Sequence, residues 1–101
     1  MMDKSVLTLE QIKRIVKPIA EKYRVEAVYL FGSYARGEAD GDSDLDFLVF
    51  AGTKCKPVMV FAIAEELHEA FQKKIDAFEI CEINRGTAFY DTIMREKVLV
   101  A

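Results

Sequence analysis

Residues that announce metal or redox chemistry are scarce in this 101-residue chain, which has one histidine, His68, and two cysteines, Cys55 and Cys81. Neither cysteine has neighbours at zinc-ligand spacing, so the expectation is a pair of free thiols in a reducing compartment. His68 lies among Glu65, Glu66 and Glu69 and reads as a surface residue, because a metal or base role needs partners nearby. No apolar run approaches the roughly 20 residues that cross a bilayer. Met1-Met2-Asp3-Lys4-Ser5 lacks the charged-then-apolar pattern of a signal peptide, so a cytoplasmic protein with no membrane contact is expected. Positive charge is also short: 14 Lys and Arg against 17 Asp and Glu leave a net charge of −3. That balance argues against bulk electrostatic binding of nucleic acid. With no repeat, linker or low-complexity segment, residues 1–101 are expected to form a single domain.

What is present is an ample apolar fraction, 51%, enough for a folded globule. Acids crowd one place. Glu38, Asp40, Asp42, Asp44 and Asp46 fall within nine residues with no base among them. Such crowding is unfavourable unless the acids splay into water or share a cation.

Apolar spacing predicts an amphipathic helix over 8–23, with Thr8 as N-cap and Gln11 as its capping-box partner. Pro18 is expected to kink that helix or divide it near Lys17. Val25–Phe31 reads as a strand ended by Gly32, residues 33–43 as a short helical turn and loop, and Leu45–Phe50 as a central strand. After a loop over 52–56, Pro57 suits the first position of a helix running to Gln72. The first half of that helix, Val58–Ala64, is apolar all round and is expected to be buried on more than one side. Met59, Phe61, Ile63 and Phe71 are expected in the core. Lys74–Ile80 reads as a third strand, entered past two solvated lysines, Lys73 and Lys74. A last helix covers 87–96, and Val98–Val100 forms a short edge strand. The fold class is therefore α/β (α+β), a small mixed β-sheet flanked by helices.

Two elements carry chemistry. Gly32-Ser33 sits where a strand becomes a helix. There glycine permits close backbone approach, and serine caps the helix and leaves N–H groups for an anion. A lone Gly-Ser pair is most often only a turn, and the Gly-Lys-Ser/Thr ending of a P-loop is missing. Arg36, one helical turn on, is placed to reach phosphates, the plainer alternative being a solvated arginine. Ten residues separate Ser33 from Asp44, and Asp46 follows two positions on. Two apart on a strand, they present carboxylates on one face, while Leu45, Phe47 and Val49 point into the core. Mg²⁺ suits such a pair, since it takes one or two carboxylates plus phosphate oxygens. Asp76, inside the apolar Lys74-Ile75-Asp76-Ala77-Phe78, is the candidate third acid. Alone it would read as an edge-strand solubility device, but beside Asp44 and Asp46 it reads as a metal and catalytic carboxylate. Glu79 falls on the opposite face. Tyr34 either stacks on a base or packs on the sheet.

Gly-Ser, ten residues, then Asp-x-Asp resembles the signature of the DNA polymerase β-like nucleotidyltransferase superfamily. The run Leu30-Phe31-Gly32-Ser33-Tyr34-Ala35-Arg36-Gly37 is similar to its minimal nucleotidyltransferase branch, and the likeness covers nearly the whole chain. The resemblance implies a polymerase β-like core with ATP as substrate. Gly32 and Ser33 would hold the triphosphate, Asp44 and Asp46 would bind Mg²⁺, and Asp76 would help to deprotonate an acceptor hydroxyl. It further implies the antitoxin of a two-gene module, which transfers AMP to a tyrosine of a HEPN-type ribonuclease toxin. Two other functions compete: modification of a small molecule such as an antibiotic, and a non-catalytic module that neutralises its partner by contact.

Overall fold

A computed structural model describes residues 6–52 and 57–101. The first helix, α1 (Leu9–Tyr23), starts at a complete capping box. Thr8 Oγ1 accepts from the Gln11 N–H at 3.1 Å, and Gln11 Oε1 accepts from the Thr8 N–H at 2.8 Å. Pro18 does not divide the helix, which runs through it in one piece. The reason lies in where the proline faces. Ile12, Val16 and Ala20 hold the helix to the sheet on both sides of Pro18. Pro18 itself is exposed, so the carbonyl that loses its helical partner is left to water.

Strand β1 (Ala27–Phe31) leads into the short helix α2 (Ser33–Arg36), and β2 (Leu45–Phe50) follows the acidic loop. Helix α3 (Pro57–Phe71) begins on Pro57, and β3 (Ile75–Glu79) runs into a 3₁₀ turn at Ile80–Glu82. Thr87 caps α4 (Ala88–Glu96), its Oγ1 accepting from the Tyr90 N–H at 3.2 Å, and β4 (Val98–Leu99) closes the chain's secondary structure. The sheet order is β3-β2-β1-β4. β1 is antiparallel to β2 and to β4, and β2 is parallel to β3, which makes the sheet mixed as expected.

Alternation along β2 divides the core. Leu45, Phe47 and Val49 are fully buried on the face covered by α1 and α3, with Val28, Leu30, Ile63 and Leu67 around them. Leu48 lies on the other face with Phe31, Ile83 and Ile93 of α4. Helix α3 departs from its expected burial. Val60 and Ile63 are buried, but Val58 is 83% and Phe61 69% exposed. α3 covers one face of a sheet that ends at β3, so its second apolar side has no layer to pack on among the described residues. Phe61 is therefore not core, while Ile63 and Phe71 are, and Met59 packs at the margin. Cys81 is disulfide-bonded rather than a free thiol. Cys55, the other cysteine, lies outside the described residues, as does most of the loop expected over 52–56. No helix among the described residues is long and apolar enough to cross a membrane.

Candidate active site

The candidate residues meet at one end of the sheet, where β1 finishes and β2 and β3 begin. Register places Phe31 opposite Asp46, and Asp46 opposite Asp76 on the parallel neighbour. Gly32 turns the chain out of β1 at φ +77, a region that other L-residues seldom enter. A Cβ at this position would overlap Asp46 Oδ2 and lie 3.2 Å from its Cγ. Glycine is thus required twice, once by the backbone and once by the neighbouring carboxylate. It also takes the N-cap position of α2, which corrects the expectation that Ser33 caps. Ser33 is the first helical residue, and α2 has no side-chain cap. A Gly32→Ala protein is expected to fold with a lowered melting temperature and to lose most of its triphosphate affinity, because the added methyl displaces Asp46. A thermal melt beside an ATP titration checks this, and unchanged affinity would contradict it.

The acid cluster relieves itself at all but one point. Glu38 Oε1 accepts from Arg36 Nε at 2.7 Å. Asp40 closes the loop, its Oδ1 accepting from the Asp42 N–H at 2.9 Å. Lys73 Nζ donates to the Gly41 carbonyl at 2.8 Å, so Lys73 buttresses this loop rather than only meeting solvent. Asp44 precedes β2, and its carboxylate lies 3.9 Å from Lys74 Nζ. Asp46 has no such outlet. Burial, then the Asp76 charge, a hydrogen bond with Asp76 and the Asp44 charge push its carboxyl up to about 6, with Arg36 opposing.

That shift has a definite sign. A carboxyl raised from 3.8 to about 6 holds its proton more tightly in the folded state than in the unfolded one. Metal-free protein therefore loses stability as pH rises through that window. Asp46→Asn should remove the loss. Its melting temperature is expected to match wild type below pH 4 and to exceed it increasingly up to pH 6 and above. A constant offset across that range would show that the shift is not of this origin.

A cavity of about 380 Å³ opens beside these groups, lined by Gly32, Ser33, Arg36, Asp44 and Asp46 on one side. The opposite wall is α4, which sequence reading left without a role: Phe89, Thr92 and Glu96 face the cavity. Their spacing along the helix was the available signal, since residues three and seven apart share a face. Phe89 is half exposed and meets Phe31 and Phe78 edge-on, with centroids 6.3 and 6.1 Å apart. Arg36 is not a lone solvated side chain. Its guanidinium bonds Glu38 and, at 3.2 Å, Glu96, and it still lines the cavity. Tyr34 packs toward α1, where its hydroxyl accepts from the Leu7 N–H at 3.4 Å. His68 is exposed, its Nδ1 2.8 Å from the Lys73 carbonyl.

Asp76 does not line this cavity. It borders a separate groove between β3 and α3 and joins the site through Asp46. Glu79 points to the opposite face, as expected, and is buried. Asp44 leans toward Lys74, and among the described residues no three acids, histidines or cysteines converge as a closed metal site. The donors that do gather are hard carboxylate oxygens, and the crowding that lifts Asp46 is what a divalent cation relieves. That donor set fits Mg²⁺ completed by phosphate oxygens rather than an all-protein cage.

A mixed sheet that sets a glycine turn against paired strand-start carboxylates is the architecture of a nucleotidyl-transferring enzyme. Residues 10–101 match the family model of polymerase beta nucleotidyltransferases. The chain is 33% identical over 100 residues to the protein adenylyltransferase MntA of Thermococcus cleftensis, covering 95% of this chain and 99% of that one. Among solved structures it is similar to a toxin–antitoxin with AMP-PNP, at a TM-score of 0.74 and 18% identity over 88% of this chain and 72% of that one. It is also similar to a Shewanella oneidensis structure, a tri-AMPylated HEPN toxin in complex with its MNT antitoxin. That likeness has a TM-score of 0.70 and 14% identity, over 93% of this chain and 72% of that one. This protein belongs to the polymerase beta nucleotidyltransferase family and is a nucleotidyltransferase.

Proposed function

We propose that this protein transfers AMP from ATP to a hydroxyl of a partner protein, as the antitoxin of a module whose toxin is a HEPN-type ribonuclease. The observation that carries this reading is the junction of Gly32, Asp46 and Asp76, which sets a phosphate-approach turn beside two facing carboxylates. Near-complete coverage of the Thermococcus adenylyltransferase supports the nucleotide and the protein acceptor. In this reading residues 1–101 act as one nucleotidyltransferase domain in the cytoplasm.

Gly32 and Ser33 admit the triphosphate against the backbone. Arg36 exchanges one of its carboxylate partners for phosphate oxygens. Asp44 and Asp46 would hold Mg²⁺, which would supply charge neutralisation for the triphosphate and Lewis-acid polarisation at its α-phosphorus. Asp76 accepts the proton of the acceptor hydroxyl, a tyrosine by analogy with the HEPN systems. The acceptor oxygen bonds to the α-phosphorus as the bond to the β-phosphate bridging oxygen breaks, and pyrophosphate leaves.

Incubation with α-labelled ATP and the HEPN-type protein of the same genome tests the proposal. Label should enter the toxin with Mg²⁺ and not in EDTA, and calorimetry should show ATP binding only with the metal. Equal ATP affinity in EDTA would refute the metal's role. Label passing to a small aminoglycoside-like acceptor and not to protein would point to small-molecule modification instead.

A further inference from the structure

A second cavity, a groove of about 590 Å³, lies along the outer edge of β3 and is walled by α3. Three features make it more than a surface dent. First, β3 is the last strand of the sheet among the described residues, and its hydrogen-bonding phase is fixed. The Leu45 N–H donates to the Lys74 carbonyl at 3.1 Å, and the parallel ladder then turns the backbone groups of residues 74, 76 and 78 toward β2. Those of Ile75 and Ala77 point outward, a short strand-shaped row of donors and acceptors, which ends where the Glu79 N–H donates to Glu82 Oε1 at 3.1 Å. Second, the α3 wall is apolar where it should be covered, with Phe61 69% exposed beside Ala64. Third, Asp76 stands in the groove while its register partner Asp46 lines the nucleotide cavity. The groove and the cavity are therefore one register pair apart, Asp76 bordering the first and Asp46 the second.

We propose that an extended segment of the acceptor protein docks here as a fifth strand on β3 and so delivers its hydroxyl to Asp76. The identification of the occupant rests on the reading of Asp76 as the acid that faces the acceptor. Alternate residues of the added strand would face α3, where apolar side chains cover Phe61 and Ala64. The intervening residues share the face of Asp76 and Phe78, and one of them carries the hydroxyl. Glu65, Asp76 and Glu82 outnumber Lys74 along the same groove, so the segment should bring a Lys or Arg as well. A segment rich in Asp or Glu would be repelled, in a chain that is already net negative.

The test uses the full chain and the HEPN-type protein of the same genome, with binding measured by calorimetry in the absence of ATP. Ala77→Pro removes an outward N–H and leaves the ladder to β2 intact. Phe61→Lys changes an exposed side chain and needs no rearrangement of the core. Each should weaken acceptor binding about tenfold or more, the size of losing an interface anchor, with Mg²⁺–ATP affinity and melting temperature near wild type. Asp76→Asn should bind the acceptor as wild type does and fail to transfer. Should Ala77→Pro melt early, Phe61→Lys decides alone. Wild-type binding by Phe61→Lys, or no binding by the wild type, overturns the proposal. A homodimer that Phe61→Lys dissociates would also overturn it, by making a second copy the occupant. Weakened binding without any transfer by the wild type would sink the transferase reading, and with it the claim that this strand carries an acceptor.

Discussion

Replacing Asp44 and Asp46 together by asparagine is expected to abolish nucleotide transfer and at the same time raise the melting temperature of the metal-free protein. The two effects have one cause. Asp46 is half-buried with Asp76 opposite and Asp44 two residues away, and its carboxyl is already pushed up to about 6. At neutral pH the fold therefore carries concentrated negative charge that a cation would relieve. Asparagine keeps the shape and discards the charge, so the apoprotein gains stability. Asp44 gives up a 3.9 Å pair with Lys74, but both partners are largely exposed and that loss is small. In the proposed site transfer should suffer because an amide is a poor ligand for Mg²⁺. Several kcal/mol of charge stabilisation go with the metal. At about 1.4 kcal/mol per tenfold, the rate should fall at least about a thousandfold. A melt and a label-transfer assay on the same preparation decide the matter. Retained transfer would remove both residues from the metal site, and a lowered melting temperature would contradict the charge argument.

Local chemistry explains which parts of this architecture were legible beforehand. The capping box at Thr8 and Gln11, the helix start at Pro57 and the alternation along β2 each depend on residues a few positions apart, and the structure has all three. The approach of Gly32 to Asp46 follows from two strand ends, Phe31 and Asp46, that the turn between them brings together. Features set by distant partners were not legible. Arg36 meets Glu96 sixty positions away. Asp44 leans to Lys74 only because β3 lies parallel to β2. Phe61 looked like core because its segment is apolar all round. Whether a helix's second side is covered depends on where the sheet ends, and no local pattern states that. The α4 wall was missed for the same reason. Phe89, Thr92 and Glu96 share a stripe, but only the packing of Ile93 against Phe31 and Leu48 turns it toward the cavity beside Gly32 and Asp46.

The sharpest division of labour in the proposed site lies between Asp76 and the other two carboxylates. Asp76→Asn is expected to cut the transfer rate by about two to four orders of magnitude, the usual contribution of a positioned base. Mg²⁺–ATP affinity should change far less, because Asp44 and Asp46 line the cavity proposed for the nucleotide and Asp76 does not. The geometry supports that separation, since Asp76 reaches the site from the β3 side, through Asp46. Removing its charge also takes away the second-largest cause of the raised Asp46 carboxyl. In the variant Asp46 should therefore ionise at lower pH, and metal binding should persist further into the acid range. A structural Asp76 predicts something else, namely near-normal turnover with at most a shift in melting temperature. Turnover, nucleotide affinity and the pH dependence of metal binding, measured on one Asp76→Asn preparation, separate the two. Normal turnover would leave the site with two carboxylates and no base, and collapsed ATP affinity would place Asp76 on the nucleotide metal instead.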